Sequence, residues 1–325
     1  MAKLITGGTG FIGAELARTL VGQGEEVVLF DVAPNWERIR DIKDIVKVVP
    51  GNLANSFEVL NVVKENNVEG IYHLGGLLSI QSNANPQASF QVNVCGTMNV
   101  LETARLFNVS RIVFISSFAT YGLGVPQVVT DDTLQRPITM YGCGKLFGEL
   151  LGMFYRRRFA LDFRSVRCPS VIGPGVTTPG NVQYNSLMIE KAALGEPYEC
   201  YVTEDTKSVG AMYFKDTVRC LDMLYRAPKE QIKTVNYNVA GLRNMTAKQL
   251  EQAIQKYVPD FSVIYKPNPE VVEYFQVRRA AEIIDDTRAR EEWGWQPLFD
   301  DLERMVSAFI QEVRTRPEYY GLKQQ

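Results

Sequence analysis

A tyrosine and a lysine four residues apart, Tyr141 and Lys145, form a pair that could carry out acid–base chemistry. On a helix this spacing places both side chains on one face, one turn apart. A free tyrosine, with a pKa of about 10, is a poor base at neutral pH, but a neighbouring ammonium lowers that pKa. Ser117 ends a predicted strand and could bind the same substrate oxygen as Tyr141. These three residues are therefore candidate catalytic residues for moving a proton on and off a hydroxyl.

A glycine-rich segment near the start of the chain has the spacing of a turn that binds a dinucleotide. Gly7, Gly10 and Gly13 stand between a predicted strand and a predicted helix. Without Cβ atoms the turn can be tight, and a pyrophosphate can approach the free N–H groups of the helix. Asp31 ends the next strand, where a carboxylate would accept from ribose hydroxyls and repel a 2′-phosphate. The pattern predicts NAD as the cofactor; the alternative is a structural turn with a surface aspartate.

Strand-like and helix-like patterns alternate through the first half of the chain. Such alternation produces right-handed βαβ units around a parallel sheet. We therefore predict an α/β fold with a Rossmann-type, doubly wound parallel sheet. Strands are predicted at 3–6, 26–30, 46–49, 70–74, 111–116 and 162–167, and helices at 12–23, 88–107 and 140–159.

The pattern changes after residue 168, where glycine and proline interrupt residues 173–180. A helix at 184–194, a strand at 235–239 and a helix at 246–257 follow, the last with Thr246 as N-cap and Gln249 three residues on. We expect residues 1–168 to form an NAD-binding domain that carries the catalytic residues. Residues 169–325 would form mainly a smaller C-terminal α/β substrate-binding lobe, interleaved with the sheet.

The composition narrows the class of protein. The chain has 325 residues, a net charge of −2 and 46% hydrophobic residues, which is typical of a globular protein and gives no charged surface for nucleic acid. No apolar run approaches the ~20 residues of a membrane helix, and no signal peptide precedes the glycine segment, so a cytoplasmic location is expected. Five cysteines without a CxxC pair, and His73 as the only histidine, argue against a metal site.

The motifs together identify a resemblance that covers nearly the whole chain. The sequence resembles the extended short-chain dehydrogenases/reductases, the superfamily of NAD-dependent epimerases and dehydratases that includes L-threonine 3-dehydrogenase. The segments that carry the resemblance are TGGTGFIG (6–13), YHLGG (72–76), NVCGTMNVLETA (93–104), ISSFATYG (115–122), YGCGK (141–145) and VRCPSVIGPG (166–175).

The resemblance implies a role for each matching residue. Tyr141 would be the catalytic acid or base, Ser117 its hydroxyl partner, and Lys145 the residue that binds the nicotinamide ribose. His73 would be structural. The cofactor would contact Gly7, Gly10, Phe11, Ile12, Gly13, Asp31, Asn52, Leu53, Leu74, Gly75, Gly76, Asn93, Ser116, Tyr141, Lys145 and Pro169. The substrate would contact Ser79, Ser117, Tyr141, Thr177 and Thr178.

Three details bear on the branch of the superfamily. Dehydratases carry an Asp-Glu pair where this chain has Phe118 and Ala119, so dehydration is disfavoured. Segments such as YHLGGLLS (72–79) and IDDTRAREEWGW (284–295) are similar to the threonine dehydrogenase branch. The chain departs from that branch in two places. The branch has Asp where this chain has Pro179, and it has a tryptophan in the region where this chain has Ala280 and Ala281. Candidate anion-binding residues in the lobe are Lys207, Arg219, Arg278 and Arg279.

Three functions remain open from the sequence. The first is an NAD-dependent dehydrogenase or reductase that acts on a secondary alcohol or ketone of a small polar, threonine-like hydroxy compound. The second is an NDP-sugar 4-epimerase with tightly bound NAD, and the third is a regulatory protein that senses NAD. The family resemblance also implies a homodimer through helices 88–107 and 140–159. The near-neutral net charge and the lack of a long apolar run predict no nucleic-acid or membrane partner.

Overall fold

The computed structural model describes residues 1–178 and 180–322. Its strands, in chain order, are β1 (Ala2–Thr6), β2 (Val27–Asp31), β3 (Lys47–Pro50), β4 (Val68–His73), β5 (Arg111–Ser117), β6 (Val128–Val129), β7 (Phe163–Cys168), β8 (Ser170–Ile172), β9 (Tyr198–Cys200), β10 (Lys207–Ser208), β11 (Ala211–Tyr213), β12 (Asn236–Asn238), β13 (Met245–Thr246), β14 (Val263–Tyr265) and β15 (Ile283–Ile284).

The α-helices are α1 (Phe11–Gly22), α2 (Ser56–Glu65), α3 (Ser79–Ala84), α4 (Pro86–Ser89), α5 (Gly96–Leu106), α6 (Met140–Phe159), α7 (Tyr184–Ala193), α8 (Phe214–Arg226), α9 (Ala247–Gln255), α10 (Pro269–Gln276), α11 (Thr287–Trp293) and α12 (Leu302–Thr315). A π-helical segment, Phe90–Cys95, joins α4 to α5, so the helix predicted at 88–107 changes its hydrogen-bond spacing partway along. Short 3-10 helices cover Phe118–Thr120, Lys229–Gln231 and Pro317–Tyr320.

Seven of the described strands form one parallel sheet in the order β12-β7-β5-β4-β1-β2-β3. β1, β2 and β5 are rich in aliphatic residues buried on both faces, as expected for a sheet covered by helices on each side. The chain order reverses between β1 and β4. This confirms the predicted Rossmann-type fold and opens a crevice beyond the carboxyl ends of these strands.

Two apolar layers cover the sheet. On one face α1, α8 and α11 contribute to a core that includes Leu16, Leu221 and Trp293. On the other face α2, α5 and α6 contribute to a core that includes Val62 and Leu101. No helix within the described parts of the chain is both long and apolar enough to cross a membrane.

A third apolar core lies outside the sheet. α7, α9 and α12 pack together there, around side chains such as Met188, Leu250 and Phe309. The short parallel pairs β8–β11 and β9–β14 belong to the same region. α9 begins with the predicted capping box of Thr246 and Gln249. The chain returns from this region to the sheet at α8 and β12, so the two regions are interleaved.

Helix α6 approaches its neighbours closely at four glycines, two of which, Gly148 and Gly152, face the sheet. Thr139 caps the helix by accepting from the N–H of Gly142 at 3.0 Å. Further along, Gly152 faces the fully buried ring of Phe163 on β7; a Cβ at this glycine would lie 2.2 Å from the ring. The glycines at 142, 144, 148 and 152 thus set the distance between α6 and the residues beneath it.

Replacing Gly152 with alanine should therefore destabilise the protein. The new methyl group overlaps a buried ring, and overpacking of this kind costs about 1–3 kcal/mol in the free energy of unfolding. Urea unfolding followed by circular dichroism measures the change.

Gly22→Ala is the matched control, because a Cβ at this last residue of α1 meets no atom within 4 Å. Its free energy of unfolding should stay the same or rise by up to about 1 kcal/mol through helix propensity. Equal effects of the two substitutions would contradict the close approach of α6.

Candidate active site

A cavity of about 700 Å³ runs from the glycine turn after β1 to helix α10. Its volume lies within the range of about 300–1,000 Å³ that is usual for ligand pockets. Every residue predicted to contact cofactor or substrate lines it, with the exception of Asn93. The cavity opens where the strand order reverses, at the carboxyl ends of β1, β4 and β5.

The glycine turn has the geometry that a pyrophosphate requires. Gly7 has a φ of +64°, and a Cβ at Gly13 would lie 2.2 Å from the carbonyl oxygen of Gly7. The start of α1 is therefore pressed against the turn, and the N-cap, Gly10, has no side chain to satisfy the first N–H groups of the helix. These free donors at a positive helix end suit an anionic group.

Asp31 lies at the other edge of the turn, at the end of β2. Its Oδ2 accepts from the N–H of Thr9 at 3.1 Å and from Thr9 Oγ1 at 2.7 Å, and its Oδ1 accepts from the N–H of Ala33 at 3.3 Å. These bonds orient the carboxylate, which lines the cavity. A carboxylate with spare acceptor capacity fits the ribose hydroxyls of NAD. The turn and the carboxylate together fit this cofactor.

A chain of hydrogen bonds fixes the opposite wall of the cavity. Thr6 Oγ1 accepts from the N–H groups of Leu74 and Gly75, each at 3.1 Å, and lies 2.7 Å from His73 Nδ1. His73 Nε2 lies 3.0 Å from Thr97 Oγ1, whose proton is donated to the carbonyl oxygen of Asn93. Nε2 must therefore donate to Thr97, and Nδ1 accepts from Thr6.

His73 is structural in this arrangement. It lies beneath the cavity wall, 1% exposed, and does not line the cavity. Burial, helped by the charge of Lys145, lowers the pKa of His73 to about 3, so the ring is neutral as the hydrogen-bond chain requires. Asn93 also lies in this support. Its side chain accepts from the N–H of Leu77 at 2.8 Å and donates to the carbonyl of Leu77 at 2.9 Å, which holds the loop after β4.

Tyr141 lies in the first turn of α6, two residues after the cap. The hydroxyl of Ser117 lies near the phenol of Tyr141. Burial raises the pKa of Tyr141, the nearby Ser117 hydroxyl lowers it, and the neighbouring Tyr274 raises it further. The helix N-terminus, with its positive end, favours the phenolate at this position.

Lys145 lies one turn further along α6 and is 4% exposed. Its Nζ donates to the carbonyl oxygen of Ile115 on β5 at 2.7 Å and lies 5.7 Å from the centre of the Tyr141 ring. Burial lowers the pKa of Lys145 to about 8, against smaller opposite effects of Cys168 and Glu149. The ammonium form is thus present at neutral pH but is costly to hold.

The sequence analysis missed Glu149, the next residue on the same face of α6. Glu149 is buried, accepts from the hydroxyl of Ser116, and pairs with Arg167 on β7, whose Nη2 lies 2.8 Å from Glu149 Oε2. Ser116 lines the cavity. Its hydroxyl, however, donates to Glu149. The spacing of four residues between positions 141, 145 and 149 was the signal that could have identified Glu149.

The end of the cavity where the sequence predicts substrate contacts lies between the sheet and the third apolar core. Ser79, Thr177 and Thr178 line it as predicted, and Pro179 lies outside the described residues. Phe118 and Ala119 line the same end. Tyr274, Phe275 and Gln183 also contribute, and the sequence analysis did not identify these three.

Of the four candidate anion-binding residues, Arg278 alone is among the described lining residues. Lys207 pairs with Glu282, and Arg219 donates to the carbonyl oxygen of Gln296. Arg279 is exposed. None of these three residues lines the cavity.

A doubly wound parallel sheet, a glycine turn after its first strand and a serine–tyrosine–lysine set beyond β5 define a dinucleotide-dependent enzyme of the dehydrogenase type. The family model described as "NAD dependent epimerase/dehydratase family" matches residues 3–240, and the chain belongs to that family. It is an NAD-dependent enzyme of the extended short-chain dehydrogenase/reductase type, and its cofactor is NAD.

Individual relatives are similar over almost the whole chain. The mitochondrial L-threonine 3-dehydrogenase of Bos taurus is 30% identical over 320 residues, which cover 94% of this chain and 81% of the relative. The GalE-like L-threonine dehydrogenase of Cupriavidus necator, in its holo form, is 30% identical with a TM-score of 0.86 and coverage of 96% and 100%. A monomeric L-threonine 3-dehydrogenase from a metagenome is 29% identical with a TM-score of 0.86, covering 96% of this chain and 98% of its own.

Lys145→Met should change how stability depends on pH. A folded-state pKa of about 8 lies below the ordinary 10.5, so between these values the unfolded chain binds more protons and wild-type stability rises with pH. The variant lacks this gain. Between pH 8 and pH 10, the free energy of unfolding of the wild type should rise by roughly 2 kcal/mol more than that of the variant. Urea unfolding of cofactor-free protein measures both changes.

Lys64→Met, at an exposed lysine of α2, is the control and should follow the wild-type pH profile. Parallel profiles of Lys145→Met and wild type would contradict the burial of a charged Lys145.

Proposed function

We propose that this enzyme transfers hydride between NAD(H) and a secondary alcohol or ketone of a small polar, threonine-like hydroxy compound. One observation carries the proposal: the side chains of Ser117 and Tyr141 lie together, with Lys145 one turn away, on the cavity that begins at the glycine turn. The relatives named as threonine dehydrogenases support the same class of reaction.

The cofactor would be held by residues on both sides of the crevice. Gly7, Gly10, Phe11, Ile12 and Gly13 would bind the pyrophosphate, and Asp31 the adenosine ribose, with Asn52, Leu53, Leu74, Gly75 and Gly76 along the walls. Ser116, Lys145 and Pro169 would lie by the nicotinamide, and Asn93 would act indirectly, through Leu77. When bound, NAD supplies the acceptor or donor of the hydride.

Tyr141 would exchange the proton. Ser117 and Tyr141 would hydrogen-bond the substrate oxygen, and Tyr141 would take its proton during oxidation or return it during reduction. Because burial alone raises the pKa of Tyr141, the phenolate needs positive neighbours. The helix N-terminus and the ammonium of Lys145 provide them.

Phe118 and Ala119 support redox chemistry over dehydration. They line the cavity where elimination of water would need a second acid–base pair, and neither can exchange a proton. The 4-epimerase remains the second candidate, since the family includes epimerases. A diphosphate would want paired arginines, and Arg278 stands alone among the described lining residues.

We propose that the two parts of the chain predicted from the sequence have separate roles. Residues 1–168 would bind NAD and carry the catalytic set, and 169–325 would mainly bind substrate, with Ser79 contributing from the first part. The cytoplasmic location stays a prediction.

Tyr141→Phe should lower kcat/KM by about 10²–10⁴-fold, because the proton donor and acceptor is lost. The measurement is NADH formation, followed by absorbance, across a panel of hydroxy acids, amino acids and polyols. Tyr257→Phe is the control, since Tyr257 is 39% exposed and does not line the cavity.

NADH formation that survives in Tyr141→Phe would contradict the proposed role of Tyr141. If the wild type releases no NADH with any substrate and retains tightly bound NAD on purification, the 4-epimerase is favoured instead.

We also propose a homodimer through α5 and α6. Exposed apolar side chains on α6, among them Phe147, Leu150 and Phe154, are spaced to lie on one face, and Met98 is exposed on the adjacent α5. Clustered exposed apolar residues favour an interface with a partner. A monomeric relative of similar fold makes this a question for experiment.

Leu150→Glu should convert a wild-type dimer to a monomer in sedimentation velocity, because it would bury an unpaired carboxylate in the interface. Leu134→Glu is the control: Leu134 is 65% exposed and lies outside the helices. A monomeric wild type, or a dimer that tolerates Leu150→Glu, would contradict this interface.

A further inference from the structure

Arg278 is a buried cation that faces the substrate end of the cavity. It is 4% exposed and lines the cavity just after α10. Its Nη1 donates to the carbonyl oxygen of Tyr121 at 3.3 Å and its Nη2 to that of Tyr274 at 2.8 Å. The guanidinium carbon lies 3.6 Å from the centre of the Tyr274 ring. The side chain is therefore held in one place by three contacts.

The charge of Arg278 is not neutralised within the described residues, because no carboxylate there lies within 4.0 Å of its nitrogens. A guanidinium has five N–H groups, and two of them have acceptors in the protein. Three remain for a ligand. A buried charge without a partner is costly, and an anion in the cavity would remove that cost.

The other charges of the lining point to the same sign of ligand. Asp31 is the single carboxylate among the described lining residues, and it lies at the adenosine end. Lys145 and Arg278 are the charged residues at the reacting end. An anionic substrate would find two cations there, whereas a substrate ammonium would find no carboxylate among those residues.

Arg278 is also connected to the catalytic residues. Tyr274, on which it stacks, is close enough to Tyr141 to affect its ionisation. Tyr121, which accepts from Arg278, follows the short helix that Ser117 caps. An anion on Arg278 would therefore belong to the same small molecule as the carbon that reacts beside Tyr141.

We propose that Arg278 binds an anionic group of the substrate, a carboxylate or a phosphate, and that the substrate is a small hydroxy or keto anion without an ammonium group. The inference rests on the proposed function and names its substrate class. It separates this enzyme from one that acts on threonine, which carries both a carboxylate and an ammonium. A planar guanidinium with free N–H groups suits a carboxylate or phosphate through two parallel hydrogen bonds.

Binding to the holoenzyme tests the anion directly, without requiring turnover. The enzyme is saturated with NAD⁺, which cannot reduce a ketone, and isothermal titration calorimetry compares acetoacetate with acetoacetamide, a neutral compound of similar size. The wild type should bind acetoacetate about 10-fold or more tightly, because hydrogen bonds to charged groups are stronger. Hydroxyacetone phosphate forms the second arm, and tighter binding of it would identify the anion as phosphate.

Arg278→Gln should reduce the preference for the anionic ligand to about 3-fold or less, with little change for acetoacetamide. Arg279→Gln removes the same charge from the exposed neighbouring side chain and should keep the wild-type preference. Arg278→Lys should recover part of it, which a purely structural role of Arg278 would not explain. If Arg278→Gln does not fold, the wild-type comparison and Arg278→Lys still decide.

The ammonium is tested by 3-hydroxybutyrate and threonine, which differ in the amino group alone. With NAD⁺, at least one enantiomer of 3-hydroxybutyrate should have a kcat/KM equal to or higher than that of threonine. A clear preference for threonine would overturn this part of the proposal.

Equal binding of acetoacetate and acetoacetamide by the wild type, or equal loss of both in Arg278→Gln, would overturn the assignment of Arg278. Turnover that does not depend on Arg278 would leave the proposed function intact and refute the inference. Arg278-dependent binding without turnover of any substrate would support the anion site and count against the proposed function.

Discussion

The contact between α6 and the sheet controls the geometry of the active site. Lys145 is buried at that contact and donates to the carbonyl oxygen of Ile115 on β5, the strand that ends at Ser117. One hydrogen bond thus ties the helix that carries Tyr141 to the strand that carries its partner. The glycine face of α6 allows this approach, and the ion pair of Glu149 with Arg167 fixes it one turn further on. Burying the ammonium of Lys145 is unfavourable for stability, but it places a cation one turn away from Tyr141.

The wall opposite α6 depends on a different kind of constraint, a directed series of hydrogen bonds. The hydroxyl of Thr6 donates to Nδ1 of the neutral His73, and Nε2 of the same ring donates to the hydroxyl of Thr97. Thr97 in turn donates its proton to the carbonyl oxygen of Asn93. A protonated ring would break the series, because Nδ1 could no longer accept from Thr6. The deep burial that lowers the pKa of His73 to about 3 therefore also keeps the loop after β4 in place. The histidine supports the cofactor wall without touching the reaction.

The sequence was sufficient for features that depend on local spacing. The glycine turn, Tyr141 with Lys145, and the alternation of strands and helices each repeat a pattern within a few residues, and the fold they predicted is confirmed. Features that depend on contacts between distant segments could not be read in this way. The change to π-helical spacing at Phe90–Cys95, the segment from which Asn93 bonds to Leu77, is not indicated by the types of those six residues. Arg278 could be named as a cation, but only its hydrogen bond to the carbonyl of Tyr121 and its place on the cavity distinguish it from Arg279.

The two halves of the cavity come from different parts of the fold, and this separates the chemistry from the choice of substrate. The cofactor half is made by the ends of parallel strands and by α6, whose positions are fixed by the sheet. The half that we propose to bind substrate is made by Thr177, Thr178, Gly180, Val182 and Gln183 and by α10, and none of these residues belongs to the sheet. A change of charge at Arg278 can therefore alter which molecule is held beside Tyr141 while the sheet, the glycine turn and Lys145 stay as they are. This separation fits a family that is described as NAD-dependent and includes both epimerases and dehydratases.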